Sequence, residues 1–263
     1  MRLATFLPPG CGSALAGEVR GDDVIAFADG ATVLDRLASG DRTPAAGDTF
    51  DLGEVELLAP VPRPRAIFGI GLNYSEHAKE TGRDLPEAPI VFMKLPSSAA
   101  PPNAPLNVPA VIRRLDYEGE LAVVMGAGGE VAGYAVADDV SARDLQRREP
   151  QWTRAKGFDG SCPFGPWVTT ADEVPDPEDL GLRTWVNGEL RQDARTSDLI
   201  FGIDRLVAFI GETCTLEPGD LILTGTPSGV GFAMEPPQFL KQGDVVRMEI
   251  ESLGVIEHTI AEA

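Results

Sequence analysis

Two glutamates separated by one residue, Glu118 and Glu120, open an apolar segment that runs to Met125 and ends in a glycine-rich turn. This pattern predicts a β-strand, in which side chains two residues apart point to the same face. Ala122 and Val124 share that face, so we expect it to be turned towards an apolar interior. Two adjacent carboxylates buried there repel each other and lose hydration. A divalent cation such as Mg²⁺, Ca²⁺ or Mn²⁺ would compensate both charges, because these ions prefer oxygen ligands.

The same strand has a second interpretation, in which the glutamate face is solvated and Leu121, Val123 and Met125 point inward. Residues further along the chain bear on the choice. Asp138 and Asp139 end the next alternating segment, directly before a short polar helix. Functional groups often collect at such strand ends. An aspartate pair in this position also serves as a cap or a turn, so the pattern leaves both roles open.

A histidine and a glutamate, His77 and Glu80, are three residues apart in a segment that is predicted to be a short helix stopped by Gly82. Side chains at this spacing are neighbours on a helix surface. Because the glutamate can orient the imidazole ring, the pair suits a general base. The alternative is an exposed polar helix without a catalytic role.

Two loops combine glycine with residue types that could serve a site. Residues 156–166 begin with Lys156 and are rich in glycine and proline, which predicts a shaped loop. Residues 224–231 follow a short apolar strand, and their backbone N–H groups could cradle an anion. This second loop lacks the lysine and the spacing of a P-loop, so we exclude nucleotide binding.

The whole chain of 263 residues restricts the classes of function. Its 29 glycines and 22 prolines favour many turns and short strands over a helical bundle. The net charge of −19 argues against a nucleic acid or an anionic membrane as partner, because both require a basic surface. An anionic substrate must therefore be attracted by a metal ion or by a few placed lysines and arginines.

Cysteine usage and hydropathy predict a cytoplasmic protein. The three cysteines form no C-x-x-C pair and cannot all pair within the chain, which indicates reduced thiols. Residues 1–7 are too short for the apolar part of a signal peptide. The longest apolar segment, residues 199–210, is interrupted by charged residues, so we expect no membrane span.

The chain divides into two predicted parts. Residues 1–58 are predicted to form a small N-terminal domain of short strands and one helix, and nothing in it suggests chemistry. The second part, residues 59–263, starts with a stiff extended connector at residues 61–65. It carries every candidate site residue.

Six blocks in this second part, taken in order, resemble the fumarylacetoacetate hydrolase family. They are G-L-N-Y-x-x-H-A-x-E-T-G (71–82), D-Y-E-x-E-L-A (116–122), D-V-S-A-R-D (139–144), K-G-x-D-x-x-x-P-x-G-P (156–166), V-N-G-E-L-R-Q (186–192) and T-G-T-P-x-G-V-G (224–231). Each block is weak alone, but together they are highly specific. The resemblance implies an α+β, mostly β fold, in which residues 59–263 form a mixed β-roll catalytic domain with short helices, and a homodimer.

The resemblance also implies roles for individual residues. The family binds Mg²⁺ or Mn²⁺, with Ca²⁺ as a substitute in crystals, and the ligands implied by position are Glu118, Glu120 and Asp139. The catalytic residues implied by the family's lid dyad and loop lysine are His77, Glu80 and Lys156. The positions implied to bind the substrate are Arg143, Gln146, Thr226 and Lys94. The block that contains Lys94, residues 94–98, has one residue more here than in the family.

These roles imply a Mg²⁺-dependent hydrolase that cleaves a C–C bond in acylpyruvate-like β-diketo acids through a metal-stabilised pyruvate enolate. His77, assisted by Glu80, would activate the water, and Lys156 would add positive charge at the enolate. The alternative on the same site is isomerisation of 2-hydroxyhepta-2,4-diene-1,7-dioate or hydroxymuconate-type diacids, or decarboxylation of oxaloacetate, as in aromatic catabolism. A remote alternative is a metal-binding dimer without catalysis.

Overall fold

Short strands joined by turns dominate the fold, as the composition predicts. The computed structural model describes residues 1–262. The strands of its first half are β1 (Arg2–Leu7), β2 (Leu15–Arg20), β3 (Asp23–Ala26), β4 (Thr49–Asp51), β5 (Glu56–Leu58), β6 (Ile67–Gly71), β7 (Ile90–Lys94), β8 (Ala99–Ala100), β9 (Leu106–Val108), β10 (Leu115–Asp116) and β11 (Gly119–Met125). The later strands are β12 (Val131–Asp138), β13 (Ser141–Ala142), β14 (Cys162–Thr170), β15 (Gly181–Val186), β16 (Glu189–Arg195), β17 (Leu221–Leu223), β18 (Val245–Ile250) and β19 (Gly254–Glu262).

The helices are few and short. They are α1 (Val33–Ser39), α2 (Ser75–Glu80), α3 (Arg143–Arg148), α4 (Thr153–Lys156) and α5 (Ile203–Gly211). Single 3₁₀ turns occur at Pro96–Ser98, Ala127–Gly129, Ala171–Glu173, Thr196–Asp198 and Gly231–Ala233. The α+β, mostly β fold class predicted from the sequence is confirmed. In residues 1–262 no helix has the length and apolar character needed to cross a membrane.

Two sheets form the framework. The larger has the strand order β4-β3-β2-β1-β14-β12-β11-β17-β6-β7, with β5 paired to β1 and β8 paired to β14. The smaller has the order β16-β15-β18-β19-β9, and β10 pairs with β13 alone. Strands β11 and β12, which carry or adjoin the predicted metal ligands, therefore lie in the interior of the larger sheet.

The N-terminal segment continues this sheet. Strand β1 pairs antiparallel with β14, with Leu3 opposite Val168. Helix α1 begins after Thr32, whose side chain and that of Asp35 form a capping box, and ends before Gly40. The division into residues 1–58 and 59–263 stays a prediction, and the sheet runs across it without interruption.

Strand β11 is buried on both faces. Leu121 and Val123 belong to the apolar cluster that also contains residues of the smaller sheet, such as Met248. Ala122 and Val124 belong to a second cluster with Leu3 and residues of α1. The smaller sheet thus covers one face of the strand, and the N-terminal segment covers the other.

The glutamates that open β11 are therefore inside the protein. Glu118 is 5% exposed and Glu120 is 1% exposed. The interpretation with a solvated glutamate face is wrong, because no face of this strand reaches solvent. Burial on both faces makes the compensation of these two charges unavoidable.

Candidate active site

Three buried carboxylates converge where β11 and β12 meet. Glu118 precedes β11, Glu120 lies in it, and Asp139 follows β12. The pairing of the strands places Gly119 opposite Asp138, and the Asp139 amide donates to the Glu118 carbonyl at 2.9 Å. One oxygen from each of the three carboxylates lies within 4.8 Å of the others. The structure thus brings together the three ligands that the sequence predicts.

Three buried cations surround these carboxylates. Lys94 Nζ lies 2.7 Å from Asp139 Oδ1 and also donates to the Lys156 carbonyl. Lys156 Nζ lies 2.6 Å from Glu118 Oε2 and 2.7 Å from Asp139 Oδ2. Arg143 Nη2 lies 2.6 Å from Glu118 Oε1. Burial acts to raise the pKa of Glu118, but Lys156 and Arg143 outweigh burial and lower it.

Glu120 differs from the other two carboxylates, because no cation of residues 1–262 forms an ion pair with it. Its Oε2 accepts a hydrogen bond from the Gly225 amide at 2.7 Å. Burial, together with repulsion from Asp139 and Glu118, raises the pKa of Glu120 well above its ordinary value. A divalent cation would compensate this charge, and an all-oxygen donor set is the kind that Mg²⁺ and Mn²⁺ prefer. The residues present therefore fit a hard divalent cation.

Asp138 points away from the three carboxylates. Its Oδ1 accepts a hydrogen bond from the Glu118 amide at 2.9 Å, and its Oδ2 lies 2.9 Å from His258 Nε2 in β19. Both side chains are fully buried. This contact positions the backbone of Glu118, so the geometry favours Asp139 over Asp138 as the third ligand.

A second group of polar side chains lies on α2. His77 Nδ1 is 2.7 Å from Glu80 Oε1, and Glu80 Oε2 accepts a hydrogen bond from the Gly229 amide at 3.0 Å. The Tyr117 hydroxyl donates to the Gly229 carbonyl at 2.7 Å. His77 is 6% exposed, so the interpretation of an exposed polar helix is wrong at this residue. With Nδ1 engaged, Nε2 is the ring nitrogen that remains for a substrate or a water.

The glycine-rich loop of residues 224–231 packs directly against the start of β11. Thr226 Oγ1 donates to the Gly119 carbonyl at 3.0 Å and accepts from Gln192 Nε2 at 2.8 Å. Gln192 Oε1 accepts from the Gly119 amide at 3.1 Å. A Cβ at Gly229 would overlap the Arg191 carbonyl, so this close approach requires glycine.

A cavity of about 380 Å³ opens beside the carboxylates. At its inner end lie His77, Glu118 and Lys156. Phe92 and Trp152 form an aromatic wall, with ring centroids 5.4 Å apart and an interplanar angle of 65°. The Lys156 ammonium lies 5.1 Å from the centroid of the Phe92 ring. The remaining lining residues are Ile70, Gly71, Leu72, Thr81, Arg83, Arg143, Gln146, Arg147, Thr226 and Phe232.

Most of the sequence-predicted site residues meet at this cavity. Those that line it are His77, Glu118, Arg143, Gln146, Lys156 and Thr226. Three others lie next to residues of the lining: Glu80 contacts His77, and Glu120 and Asp139 lie beside Glu118. Lys94 is the exception, because its buried ammonium pairs with Asp139 and does not line the cavity. Its position favours support of Asp139 over contact with a substrate.

Several residues that the sequence does not single out support the site. Asp116 is fully buried, lies 2.8 Å from Arg143 Nε, and accepts the amides of Gly231 at 2.8 Å and Phe232 at 3.1 Å. Burial raises the pKa of Asp116 despite the neighbouring Arg143. Asp116 and Gln192 lie inside two of the six blocks, and this position in the sequence could have identified them as site residues. Other supporting residues, without such a signal, are Phe92, Trp152, Phe232 and His258.

Comparison with known proteins identifies the family. The profile described as "Fumarylacetoacetate (FAA) hydrolase C-terminal" matches residues 66–261. The chain belongs to this family. The resemblance drawn from the six blocks is therefore confirmed, and the protein is an enzyme of the fumarylacetoacetate hydrolase family.

Three similar proteins illustrate the range of the family. An oxaloacetate tautomerase (fahd2, mitochondrial) of Xenopus laevis is 44% identical over 218 residues, which cover 78% of this chain and 68% of the relative. A 5-carboxymethyl-2-hydroxymuconate delta-isomerase of Mycobacterium smegmatis has a TM-score of 0.84 and 35% identity, over 100% of both chains. A maleylpyruvate hydrolase of Sphingobium sp. SYK-6, solved with manganese(II) and pyruvate, has a TM-score of 0.78 and 29% identity, over 100% of both chains. The three names describe different reactions.

We predict that Glu120→Gln stabilises the metal-free protein. Because the pKa of Glu120 is raised in the folded state, its charged form lowers the free energy of unfolding above the ordinary pKa of about 4.3, and this penalty disappears as the pH falls through that value. Glutamine keeps an oxygen for the Gly225 amide and carries no charge. In EDTA at pH 8 the variant should melt at a higher temperature than the wild type. At pH 4 the two proteins should melt at the same temperature.

The same variant should respond differently to metal. Mg²⁺ or Mn²⁺ should raise the melting temperature of the wild type, because a ligand that binds the folded state stabilises it, and should barely change that of Glu120→Gln. Glu54→Gln, at an exposed glutamate in a turn, is the control and should keep the wild-type response. An undiminished metal response in Glu120→Gln would contradict a ligand role for Glu120.

Proposed function

We propose that this enzyme catalyses keto–enol proton transfer on a 2-oxo acid bound beside a divalent cation. The observation that carries the proposal is the position of His77, whose ring lines the same cavity as Glu118 and Lys156. A base and a cluster of charges suited to an enolate would thus face the same molecule in this cavity. The oxaloacetate tautomerase that is 44% identical to this chain supports the same choice.

Polar groups at the inner end of the cavity suit the acid end of such a substrate. Arg143 Nη1 donates to Gln146 Oε1 at 3.0 Å, so the Gln146 amide nitrogen stays available as a donor. The Arg143 guanidinium lies 4.4 Å from the centroid of the Phe232 ring, which holds it in place. We therefore assign binding of the substrate carboxylate to Arg143 and Gln146, with Thr226 shaping the loop beside them.

The cation would be held by Glu118, Glu120 and Asp139, and we propose Mg²⁺ or Mn²⁺. When bound, it would supply Lewis-acid polarisation of the 2-oxo group. Lys156 adds a fixed positive charge. Burial acts to lower the pKa of Lys156, but the Asp139 and Glu118 carboxylates outweigh burial and raise it, so the ammonium stays charged at neutral pH. A charge placed in advance at a developing enolate stabilises it without reorganisation.

His77 moves the proton in this proposal. With Nδ1–H donated to Glu80, the neutral ring would present Nε2 as a base. It would take a proton from the carbon beside the 2-oxo group and deliver it to the 2-oxo oxygen, which becomes the enol hydroxyl, and the reverse transfer would restore the keto form. Glu80 is itself held by the Gly229 amide, so the ring keeps one orientation. One ring nitrogen would thus carry the proton in both directions between carbon and oxygen.

The same dyad favours a second candidate, hydrolysis of a C–C bond in an acylpyruvate-like β-diketo acid. His77 would then take a proton from water, the hydroxide would attack the carbonyl distal to the acid end, and pyruvate would leave as its enolate. The maleylpyruvate hydrolase with bound manganese(II) and pyruvate supports this candidate. Isomerisation of hydroxymuconate-type diacids and decarboxylation of oxaloacetate pass through the same kind of enolate, so assays must separate the reactions.

We predict that His77→Gln lowers kcat/KM for enol-oxaloacetate by about 100-fold or more, because it removes the proton carrier. Decay of the enol absorbance with Mg²⁺ present measures this rate. Decarboxylation of oxaloacetate by the same variant should fall much less, since loss of CO₂ requires no proton acceptor at carbon. Lys79→Gln, at an exposed residue of the same helix, should behave as the wild type.

Three results would contradict the proposal. Tautomerisation at the wild-type rate in His77→Gln would show that His77 does not carry the proton. Loss of decarboxylation equal to the loss of tautomerisation would contradict the separate role of His77. Hydrolysis of acetylpyruvate by the wild type, without acceleration of enol-oxaloacetate decay, would decide for the second candidate.

We also propose that the protein is a homodimer. Strand β7 is the last strand of the larger sheet, and its Ile90, Val91 and Met93 are exposed, as is the following Leu95. An apolar strand edge of this kind invites pairing with another chain. A second copy that covers this edge would remove the exposed apolar surface from water.

Light scattering after size exclusion should therefore give twice the chain mass of 27.9 kDa. Val91→Lys should shift the protein towards the monomer, because it places a charge on the proposed interface. Leu190→Lys, at an exposed leucine in the edge strand β16 of the other sheet, should leave the dimer intact. A monomeric wild type at micromolar concentration would contradict this proposal.

A further inference from the structure

The cavity is lined by positive charge although the chain has a net charge of −19. Its lining includes Arg83, Arg143, Arg147 and Lys156, and among the described residues Glu118 is the single carboxylate in it. Arg143 and Lys156 form ion pairs with Glu118 at the inner end. These two cations are therefore already balanced by protein carboxylates.

Arg83 and Arg147 are not balanced in this way. Within residues 1–262 neither side chain forms an ion pair or a hydrogen bond with another protein group. Both are exposed, and both line the cavity. Two uncommitted guanidinium groups at the rim of one cavity in an acidic protein need an explanation other than the average surface composition.

Short helices carry or precede these two arginines. Arg147 follows Arg143 by four residues on α3, so both lie on the same helix face, about 6 Å apart along the helix axis. Arg83 follows α2, where its amide donates to the Ala78 carbonyl at 2.9 Å.

We propose that Arg83 and Arg147 form an anion subsite for a second carboxylate, at the end of the substrate that is far from Glu118. The inference rests on the proposed function and deepens it, because it names the two residues that would bind the far end of the substrate. The planar guanidinium group offers paired N–H donors that match a carboxylate. The aromatic wall of Phe92 and Trp152 would contact the chain between the two acid groups.

Calorimetric titration with two matched probes tests the subsite without relying on turnover. 2-Oxoglutarate and 2-oxopentanoate have the same chain length and differ in the far carboxylate alone. In the presence of Mg²⁺ the wild type should bind the diacid about tenfold more tightly or better, as expected for hydrogen bonds between charged groups. Arg83→Gln and Arg147→Gln should each reduce this preference, the double variant should abolish it, and the affinity for the monoacid should stay unchanged.

Arg148→Gln is the matched control. Arg148 is the next residue of α3, lies 3.3 Å from Glu149 Oε1 and is outside the cavity lining, so the variant should keep the full preference for the diacid. Equal affinity for the two probes in the wild type, failure of both to bind, or an undiminished preference in the double variant would overturn the subsite. The enol-oxaloacetate assay tests the proposed function independently of these titrations. A wild type that prefers the diacid but does not accelerate enol-oxaloacetate decay would overturn the proposed function and leave the subsite standing.

Discussion

The rest of the structure depends on the burial of three like charges in one place. Glu118, Glu120 and Asp139 are buried where β11 begins and β12 ends, and unpaired carboxylates are strongly disfavoured there. Lys94 and Lys156 provide part of the compensation through contacts of 2.6–2.7 Å. Within residues 1–262 no cation forms an ion pair with Glu120, and burial together with repulsion from Asp139 and Glu118 raises its pKa. A hard divalent cation would restore the balance and at the same time create a Lewis-acid site at the end of a cavity.

Segments that are distant in sequence hold this arrangement in place. The amide of Glu118 is bound by Asp138, which in turn contacts His258 near the end of the chain. Both backbone groups of Gly119 are held, one by Gln192 and the other by the glycine-rich loop. The smaller sheet therefore does more than cover the larger one, because its side chains position the strand that carries the ligands. Hydrogen bonds from several segments thus hold the carboxylate end of the site, while α2 and its following loop contribute His77 and Arg83 to the cavity lining.

Local pattern predicted the elements better than their surroundings. The apolar segment that ends at Met125 indicates a strand, but it cannot show that a segment from the start of the chain buries the second face. The spacing of His77 and Glu80 predicts their contact, whereas the Gly229 amide that holds the glutamate lies 149 residues further on. The six blocks predicted which residues meet, because a family resemblance carries long-range information that periodicity lacks. Lys94 shows the limit, since its contact with an aspartate 45 residues away has no local signature and differs from the substrate contact expected.

The claim that the three carboxylates form a metal centre is tested most directly by a crystal soaked in Mn²⁺ and measured at a wavelength where manganese scatters anomalously. We expect one strong anomalous peak between the carboxylates of Glu118, Glu120 and Asp139, with the Lys156 ammonium close by. A crystal without that peak, or with its strongest peak on other residues while Lys156 alone bridges Glu118 and Asp139, would contradict the account.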